Sequence, residues 1–129
     1  MPRPITFRDL EVWQLAMELV EQSYRTTETF PKSELFSLTN QLRRAAVSIP
    51  ANVAEGHSRR STRAYLNHVR IAIGSHGELV TCLEIGHRLG FLSTRQIKDM
   101  TTLTDSVGRL LHGLHRALKV RLNAQPSLD

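Results

Sequence analysis

The sequence has few aromatic residues, a single cysteine and no long apolar run, and each shortage excludes a class of protein. Aromatic side chains make up 5% of the 129 residues. Leu, Ala, Val and Ile are plentiful, and this composition favours packed helices over β-sheets. One cysteine excludes an internal disulfide. Because Cys82 lies in an apolar helical stretch, we interpret it as a small buried hydrophobe.

No apolar run approaches the roughly twenty residues that a transmembrane helix requires, and the amino-terminal residues lack the apolar core of a signal peptide. We therefore expect a cytoplasmic protein without a membrane partner. The length predicts one domain over residues 1–129, which is large enough to bury about two-thirds of its unfolded surface.

Patterns typical of catalytic and metal sites are also missing. His112 and His115 have helical spacing but no nearby Cys, Asp or Glu to complete a ligand set. Glu84-x-x-His87 is a single pair, whereas a carboxylate metal site in a bundle needs such pairs on facing helices. We find neither a phosphate-binding glycine loop nor a nucleophile turn. The sequence therefore predicts no enzymatic activity, no bound metal and no cofactor.

Apolar residues at alternating steps of three and four predict four helices, over about residues 8–28, 33–55, 61–89 and 94–122. Ser93 and Gln96 have the spacing of a reciprocal capping box at the start of the fourth. Gly56 is expected to end the second with a left-handed turn. Short connections make sequential helices antiparallel. The predicted fold is therefore all-α, an antiparallel up-down-up-down four-helix bundle.

The same spacing predicts which residues face the core. In the first helix we expect the inward residues to be Leu10, Trp13, Met17, Val20 and Tyr24. For Trp13 a subunit interface is the alternative. Leu35 and Val80 are also expected to point inward, from the second and third helices. Gly74 and Gly77 each cost about 1 kcal/mol relative to alanine inside a helix. We therefore expect a neighbouring helix to approach closely there.

The segment from Gln41 to Gly56 combines an apolar helical face with polar residues and a proline. Pro50 lacks an amide hydrogen and crowds the carbonyl four residues earlier, so it should bend the helix or free the Ala46 carbonyl. Ser48, Asn52 or a water would then satisfy that carbonyl.

The excess of positive charge lies in residues 57–129, which hold 11 basic and 5 acidic residues, and the whole chain has a net charge of +5. The candidate phosphate contacts are Arg59, Arg60 and Arg63 at the turn into the third helix and Arg109, Arg116, Lys119 and Arg121 along the fourth. Cations near a helix carboxyl end also favour its dipole and keep a bundle soluble, which is the alternative interpretation. No aromatic residues alternate with these arginines, so backbone contact is favoured over base stacking.

Several short motifs together resemble one family of helical bundles. They are Phe7-Arg-Asp-Leu10, Val12-Trp13, Phe30-Pro31, Gln41-Leu-Arg-Arg-Ala-Ala46, Ser48-Ile49, Asn52-Val-Ala-Glu-Gly56, Ser61, Gly74-Ser75 and Glu78-Leu79. The family was first noticed as the product of reading frames inside intervening sequences of bacterial 23S ribosomal RNA genes. The resemblance implies an antiparallel four-helix protomer, a ring-like homopentamer and no assigned catalytic activity. It also implies similarity to the accessory protein of diversity-generating retroelements, a basic pentamer that engages a reverse transcriptase and nucleic acid.

The polar residues of these motifs are expected to form one structural network, because a buried carboxylate is costly unless it is paired. Its predicted members are Arg43, Arg44, Ser48, Asn52, Glu55, Ser75 and Glu78. The network would lie inside the bundle or at a subunit joint.

Charge and resemblance together predict a non-catalytic oligomeric scaffold that binds the backbone of RNA or DNA, with a nucleic-acid enzyme as a further partner. In a ring, the basic patch of each protomer is repeated, which adds phosphate contacts and salt dependence. The alternative is an oligomeric adaptor for protein partners, in which the charge has no binding role.

Overall fold

The computed structural model describes residues 5–125, which form an antiparallel bundle of four α-helices without a strand. The helices are α1 (Glu11–Thr27), α2 (Leu38–Ser58), α3 (Thr62–Arg88) and α4 (Thr94–Ala124). Residues 1–4 and 126–129 of the predicted domain lie outside the described part. In the described part, α1 packs on α2, α2 on α3, α3 on α4 and α4 on α1. This closed cycle of neighbours is that of an up-down-up-down bundle, so the predicted fold is confirmed.

The two helix starts that differ from the prediction are both preceded by a single 3₁₀ turn. Phe7–Asp9 forms the first turn, and Leu10 is extended (φ −76°, ψ 126°), so α1 begins at Glu11 and not near residue 8. Lys32–Glu34 forms the second, and α2 therefore begins at Leu38 and not near residue 33.

The caps explain where the later helices begin. The Gln96 amide donates to the Ser93 hydroxyl at 3.1 Å, and the Ser93 amide donates to the Gln96 side chain at 2.8 Å. The predicted capping box of α4 is thus confirmed. The Ser61 hydroxyl caps α3 by accepting from the Ala64 amide at 3.2 Å.

The predicted inward face of α1 is confirmed in part: Leu10, Trp13 and Val20 pack against the core while partly exposed, but the fully buried face is displaced by about one residue. The buried residues are Val12, Ala16, Leu19, Ser23 and Thr27. Met17 is 37% exposed and Tyr24 42% exposed. Small polar residues replace large apolar ones in this part of the core, because the Ser23 hydroxyl donates to the Leu19 carbonyl at 2.7 Å and the Thr27 hydroxyl to the Ser23 carbonyl at 2.8 Å. Helix α1 therefore presents a second, partly exposed apolar face.

The other helices contribute most of the core. Leu42, Ile49, Leu79 and Leu111 are fully buried, and Cys82 is buried as predicted. Leu35 and Val80 are exposed, contrary to prediction: Leu35 precedes α2, and the Val80 side chain on α3 is 41% exposed. Trp13 is half-buried, packs against the core and meets the Phe7 ring edge-on at 5.3 Å.

The glycines have different roles from those predicted. Helix α2 continues past Gly56 to Ser58, so Gly56 does not end it. Instead, a Cβ at Gly56 would lie 2.8 Å from the His68 Cβ, so α3 packs directly against it. Within residues 5–125, no atom of another element lies within 4 Å of a Cβ built at Gly74 or Gly77, so the expected close approach of a neighbouring helix is wrong for this part of the chain. Gly90, which follows α3, has a φ of 80°.

We predict that Gly56→Ala destabilises the protein by about 1–3 kcal/mol, because the added methyl group overlaps the backbone and side chains of α3. Urea unfolding at fixed protein concentration measures the change. Gly113→Ala is the matched control. The only described atom near a Cβ built there is the end of the Arg116 side chain at 3.8 Å, an ordinary van der Waals contact, so the substitution should stabilise α4 by about 0.5–1 kcal/mol. A Gly56→Ala protein as stable as the wild type would contradict the close packing of α3 on α2.

Candidate nucleic-acid interface

Three helix ends meet at one end of the bundle: the carboxyl ends of α2 and α4 and the amino end of α3. Residues 59–61 join α2 to α3 there. The Gln125 side chain, just past α4, donates to the Thr62 hydroxyl at 2.8 Å and connects the end of α4 to the start of α3. We call this region the basic end, after Arg59, Arg60, Arg63 and Arg121.

A cavity of about 290 Å³ opens at the basic end. It is lined by His57, Arg59, Arg60, Ser61, Thr62, Tyr65 and Arg121. Three of the predicted phosphate contacts, Arg59, Arg60 and Arg121, therefore share one cavity although they come from opposite halves of the sequence. Arg63 is exposed on the first turn of α3 and does not line it.

Helix dipoles account for only part of this charge. Arg59 caps the carboxyl end of α2 and Arg121 lies in the last turn of α4, where a cation is stabilised by about 0.3–1 kcal/mol. Arg63 lies in the first turn of α3, which has no acidic residue, and there the dipole disfavours a cation. Arg59 also lies 3.5 Å from Glu55, but both side chains are 56% exposed, so this pair contributes little. The basic end therefore has more positive charge than helix stability requires.

The remaining predicted contacts lie along α4. Arg109 is exposed and donates to the Ser106 hydroxyl at 3.2 Å. Arg116 and Lys119 are exposed near His115. Burial, followed by the charges of Arg70, Lys119, His112 and Arg116, lowers the pKa of His115. Sequence reasoning missed Arg70, although it follows Arg63 by two helical turns and so lies on the same face of α3.

A chain of polar contacts runs between α2 and α3. The Ser75 hydroxyl donates to the Ser48 hydroxyl at 2.7 Å. The Asn52 amide donates to the Ser48 carbonyl at 2.9 Å and to its hydroxyl at 3.1 Å. His68 Nδ1 lies 3.0 Å from the Asn52 side-chain oxygen, which only accepts, so the imidazole donates. His68 Nε2 lies 3.8 Å from the Glu55 carboxylate.

The polar chain brings together Ser48, Asn52, Glu55 and Ser75 of the predicted network and adds His68. Sequence reasoning missed His68, although it lies two helical turns before Ser75 on the same face of α3. Pro50 lies inside α2, and the carbonyl that Asn52 satisfies is that of Ser48 and not that of Ala46.

The other predicted network residues lie elsewhere. The Arg43 side chain donates to the Thr27 hydroxyl at 2.8 Å and covers the Tyr24 ring at 4.6 Å, so it joins α2 to α1. Arg44 and Glu78 line a cavity of about 520 Å³ between α2 and α3, together with Ser48 and Ser75. Neither Arg44 nor Glu78 forms an ion pair with another described residue. Glu55 and Glu78 are both exposed, so no buried carboxylate has to be neutralised.

The described residues contain neither a metal-binding cluster nor a membrane span. Between residues 5 and 125, no three His, Cys, Asp or Glu side chains are grouped so that they would hold a metal ion. Over the same range, no helix has the length and apolar character needed to cross a membrane.

The sequence matches the family model of the 23S rRNA-intervening sequence proteins over residues 8–113, from the first 3₁₀ turn into α4. Among solved structures, the crystal structure of a protein with unknown function from the S23 ribosomal protein family, from Bacteroides thetaiotaomicron VPI-5482, is similar, with a TM-score of 0.75. The two share 20% identity, and the match covers 81% of this chain and 95% of that chain. At this identity the likeness shows the fold alone. No curated protein matches the chain.

We predict that Asn52→Ala destabilises the protein by about 1–3 kcal/mol, because it removes two hydrogen bonds to Ser48 and leaves the half-buried His68 Nδ1 without its acceptor. Urea unfolding at fixed protein concentration measures the decrease. Asn67→Ala is the matched control, since Asn67 is exposed on α3 and lies outside both the polar chain and the groove. Equal unfolding midpoints for the two variants would show that the polar chain adds no stability.

Proposed function

The chain belongs to the family of 23S rRNA-intervening sequence proteins, and on that premise we propose that it is a non-catalytic oligomeric scaffold that binds the backbone of RNA or DNA. The observation that carries the proposal is the convergence of Arg59, Arg60 and Arg121 on one cavity at the basic end. Phosphate contacts dominate the affinity of such proteins for nucleic acid.

The arrangement of charge supports backbone contact. Arg63 extends the basic end beyond the cavity, and Arg70, Arg116 and Lys119 place further cations around His115 on α3 and α4. Among the residues that line the cavity, Tyr65 is the one Phe, Tyr or Trp, and its ring is buried and offers little surface for base stacking. A cavity lined by three arginines and no exposed Phe, Tyr or Trp favours phosphates over bases.

The scaffold part of the proposal is supported by the outer face of α3. Ile71 is 52% exposed and Ile85 41% exposed, and Gly74 lies between them with open space around it. Along this face runs the groove that contains Arg44 and Glu78, two side chains of opposite charge. We propose that a second copy of the chain docks there, as part of the pentameric ring that the family resemblance implies.

The alternative is an oligomeric adaptor that binds a protein partner at this groove and does not bind nucleic acid. Phe36 favours this alternative, because it lines the groove and is 91% exposed. In an adaptor the basic end would have no binding role, so nucleic-acid binding separates the two functions.

We predict that Arg59, Arg60 and Arg63 changed together to Ala weaken binding of structured RNA and duplex DNA and flatten its salt dependence. On duplex DNA, removing one phosphate neutralisation reduces the slope of log affinity against log salt by about 0.9. Fluorescence anisotropy across a salt series measures both effects.

The matched control for this prediction changes Arg25, Arg88 and Arg95 to Ala. These three lie at the opposite end of the bundle, in the last turns of α1 and α3 and the first turn of α4. The control removes the same charge and should retain most of the affinity. Equal decreases in the two triple variants would indicate a diffuse charge effect, and absence of binding at low salt would favour the adaptor.

We predict that Ile71→Asp reduces the assembly to smaller species while helix content is retained, because it places a charge in the proposed joint. Light scattering coupled to size-exclusion chromatography gives the mass, and circular dichroism gives the helix content. Val120→Asp is the control. Val120 is 70% exposed on α4, and its substitution adds the same negative charge as Ile71→Asp. An Ile71→Asp protein with the same assembly mass as the wild type would show that this face of α3 is not part of the subunit interface.

A further inference from the structure

The hydroxyl group of Tyr65 is an unsatisfied polar group beside the basic cavity. Tyr65 lines that cavity, and its side chain is only 7% exposed. The hydroxyl is buried and has no hydrogen-bond partner among the described residues. Nearly all buried polar groups in proteins are hydrogen-bonded, and an unpaired one costs stability. The Tyr65 hydroxyl therefore needs a partner that residues 5–125 do not supply.

The position of this hydroxyl is fixed by the packing of its ring. A Cβ at Gly56 would lie 2.9 Å from the Tyr65 Cδ1, so the ring sits directly on the α2 backbone. The His57 ring meets it edge-on at 5.6 Å. A phenylalanine would make the same apolar contacts. The hydroxyl therefore adds nothing to these packing contacts, so its role has to lie in a hydrogen bond that they do not include.

The amino end of α3 adds hydrogen-bond donors to the same place. The Ser61 hydroxyl accepts from the Ala64 amide, but the amides of Thr62 and Arg63 have no acceptor among the described residues. The first turn of α3 has no acidic side chain to occupy its positive end. Free amides at a helix amino end bind anions, and phosphate above all.

Around these donors lie the cations of the cavity. Arg59, Arg60 and Arg121 line it together with Tyr65. Burial raises the pKa of the Tyr65 hydroxyl and the Arg121 charge opposes that shift, so Arg121 lies within electrostatic range of the hydroxyl. The hydroxyl remains protonated near neutral pH and acts as a donor.

We propose that this cavity binds one phosphate group, which accepts hydrogen bonds from the Tyr65 hydroxyl, from the arginine side chains of the cavity and from the first amides of α3. The inference rests on the proposed function, because a nucleic acid would supply the phosphate. It goes further by assigning one discrete subsite and a donor that carries no charge. An internal phosphodiester and a 5′-terminal phosphate share this chemistry.

The first test compares thermal unfolding of the wild type, Tyr65→Phe and Tyr24→Phe in inorganic phosphate and in chloride at equal ionic strength. A ligand that binds the folded state raises the unfolding temperature with concentration. We expect phosphate to stabilise the wild type and Tyr24→Phe, whose ring lies outside the cavity. Tyr65→Phe should fold normally, melt at the wild-type temperature or higher in chloride, and bind phosphate about tenfold more weakly.

Two results of this first test would overturn the subsite. One is a wild-type protein that phosphate stabilises no more than chloride does. The other is a Tyr65→Phe protein that keeps the full phosphate effect.

The second test measures anisotropy of one oligonucleotide carrying either a 5′-phosphate or a 5′-hydroxyl. A wild-type preference for the 5′-phosphate that Tyr65→Phe abolishes identifies the terminal group as the ligand. Equal affinities that Tyr65→Phe weakens together identify an internal phosphodiester. Affinities that Tyr65→Phe leaves unchanged overturn the subsite, while backbone binding that depends on Arg59, Arg60 and Arg63 would still stand. Stabilisation by phosphate without oligonucleotide binding would retain the subsite and refute the nucleic-acid function.

Discussion

The close packing of α3 against the glycine in α2 is the constraint on which the other features of the structure depend. Because Gly56 has no side chain, Tyr65 and His68 lie directly against the α2 backbone. His68 thereby reaches Asn52 and approaches Glu55, which completes the polar chain between the two helices. Tyr65 thereby comes to lie among the residues that line the basic cavity. One backbone contact thus sets the register of α2 on α3 and places the side chains of the candidate site.

The sequence predicts the helices better where only one of their faces is apolar. In α2 the apolar residues Leu42, Ile49 and Val53 follow one face, and all three are buried as their spacing indicates. In α1 two apolar faces overlap, one through Leu19 and the other through Met17. The spacing of apolar residues does not show which of these two faces is buried. The buried face includes small residues whose hydroxyl groups form hydrogen bonds with the helix backbone, which allows them to be buried. The choice is made by tertiary packing, which local pattern does not encode.

The candidate site, like the helices, could be predicted from the sequence only in part. Arg59 and Arg60 are adjacent in the chain, so their clustering needed no structure. Their meeting with Arg121 depends on the register of α4 against α3, which the hydrogen bond between Gln125 and Thr62 reports. The buried hydroxyl of Tyr65 had no signal in the sequence, since tyrosine at a core position usually finds a partner for its hydroxyl group. An unsatisfied donor is a property of the assembled surroundings and not of a motif.

The glycines within the helices divide into two groups that require different explanations. At Gly56, Gly86 and Gly108 a Cβ would lie about 3 Å or less from an atom of a neighbouring helix or loop, so close packing inside the protomer requires the missing side chain. At Gly74 and Gly77 no atom of another described element lies within 4 Å, and each position costs about 1 kcal/mol relative to alanine without a compensating contact among the described residues. If these glycines too are retained because another element packs closely against them, that element has to belong to a second molecule, which we predict lies close to α3. The exposed Ile71 and Ile85 on that face give such a molecule an apolar surface to bury, and the open groove beside them contains the charges of Arg44 and Glu78 that would orient it.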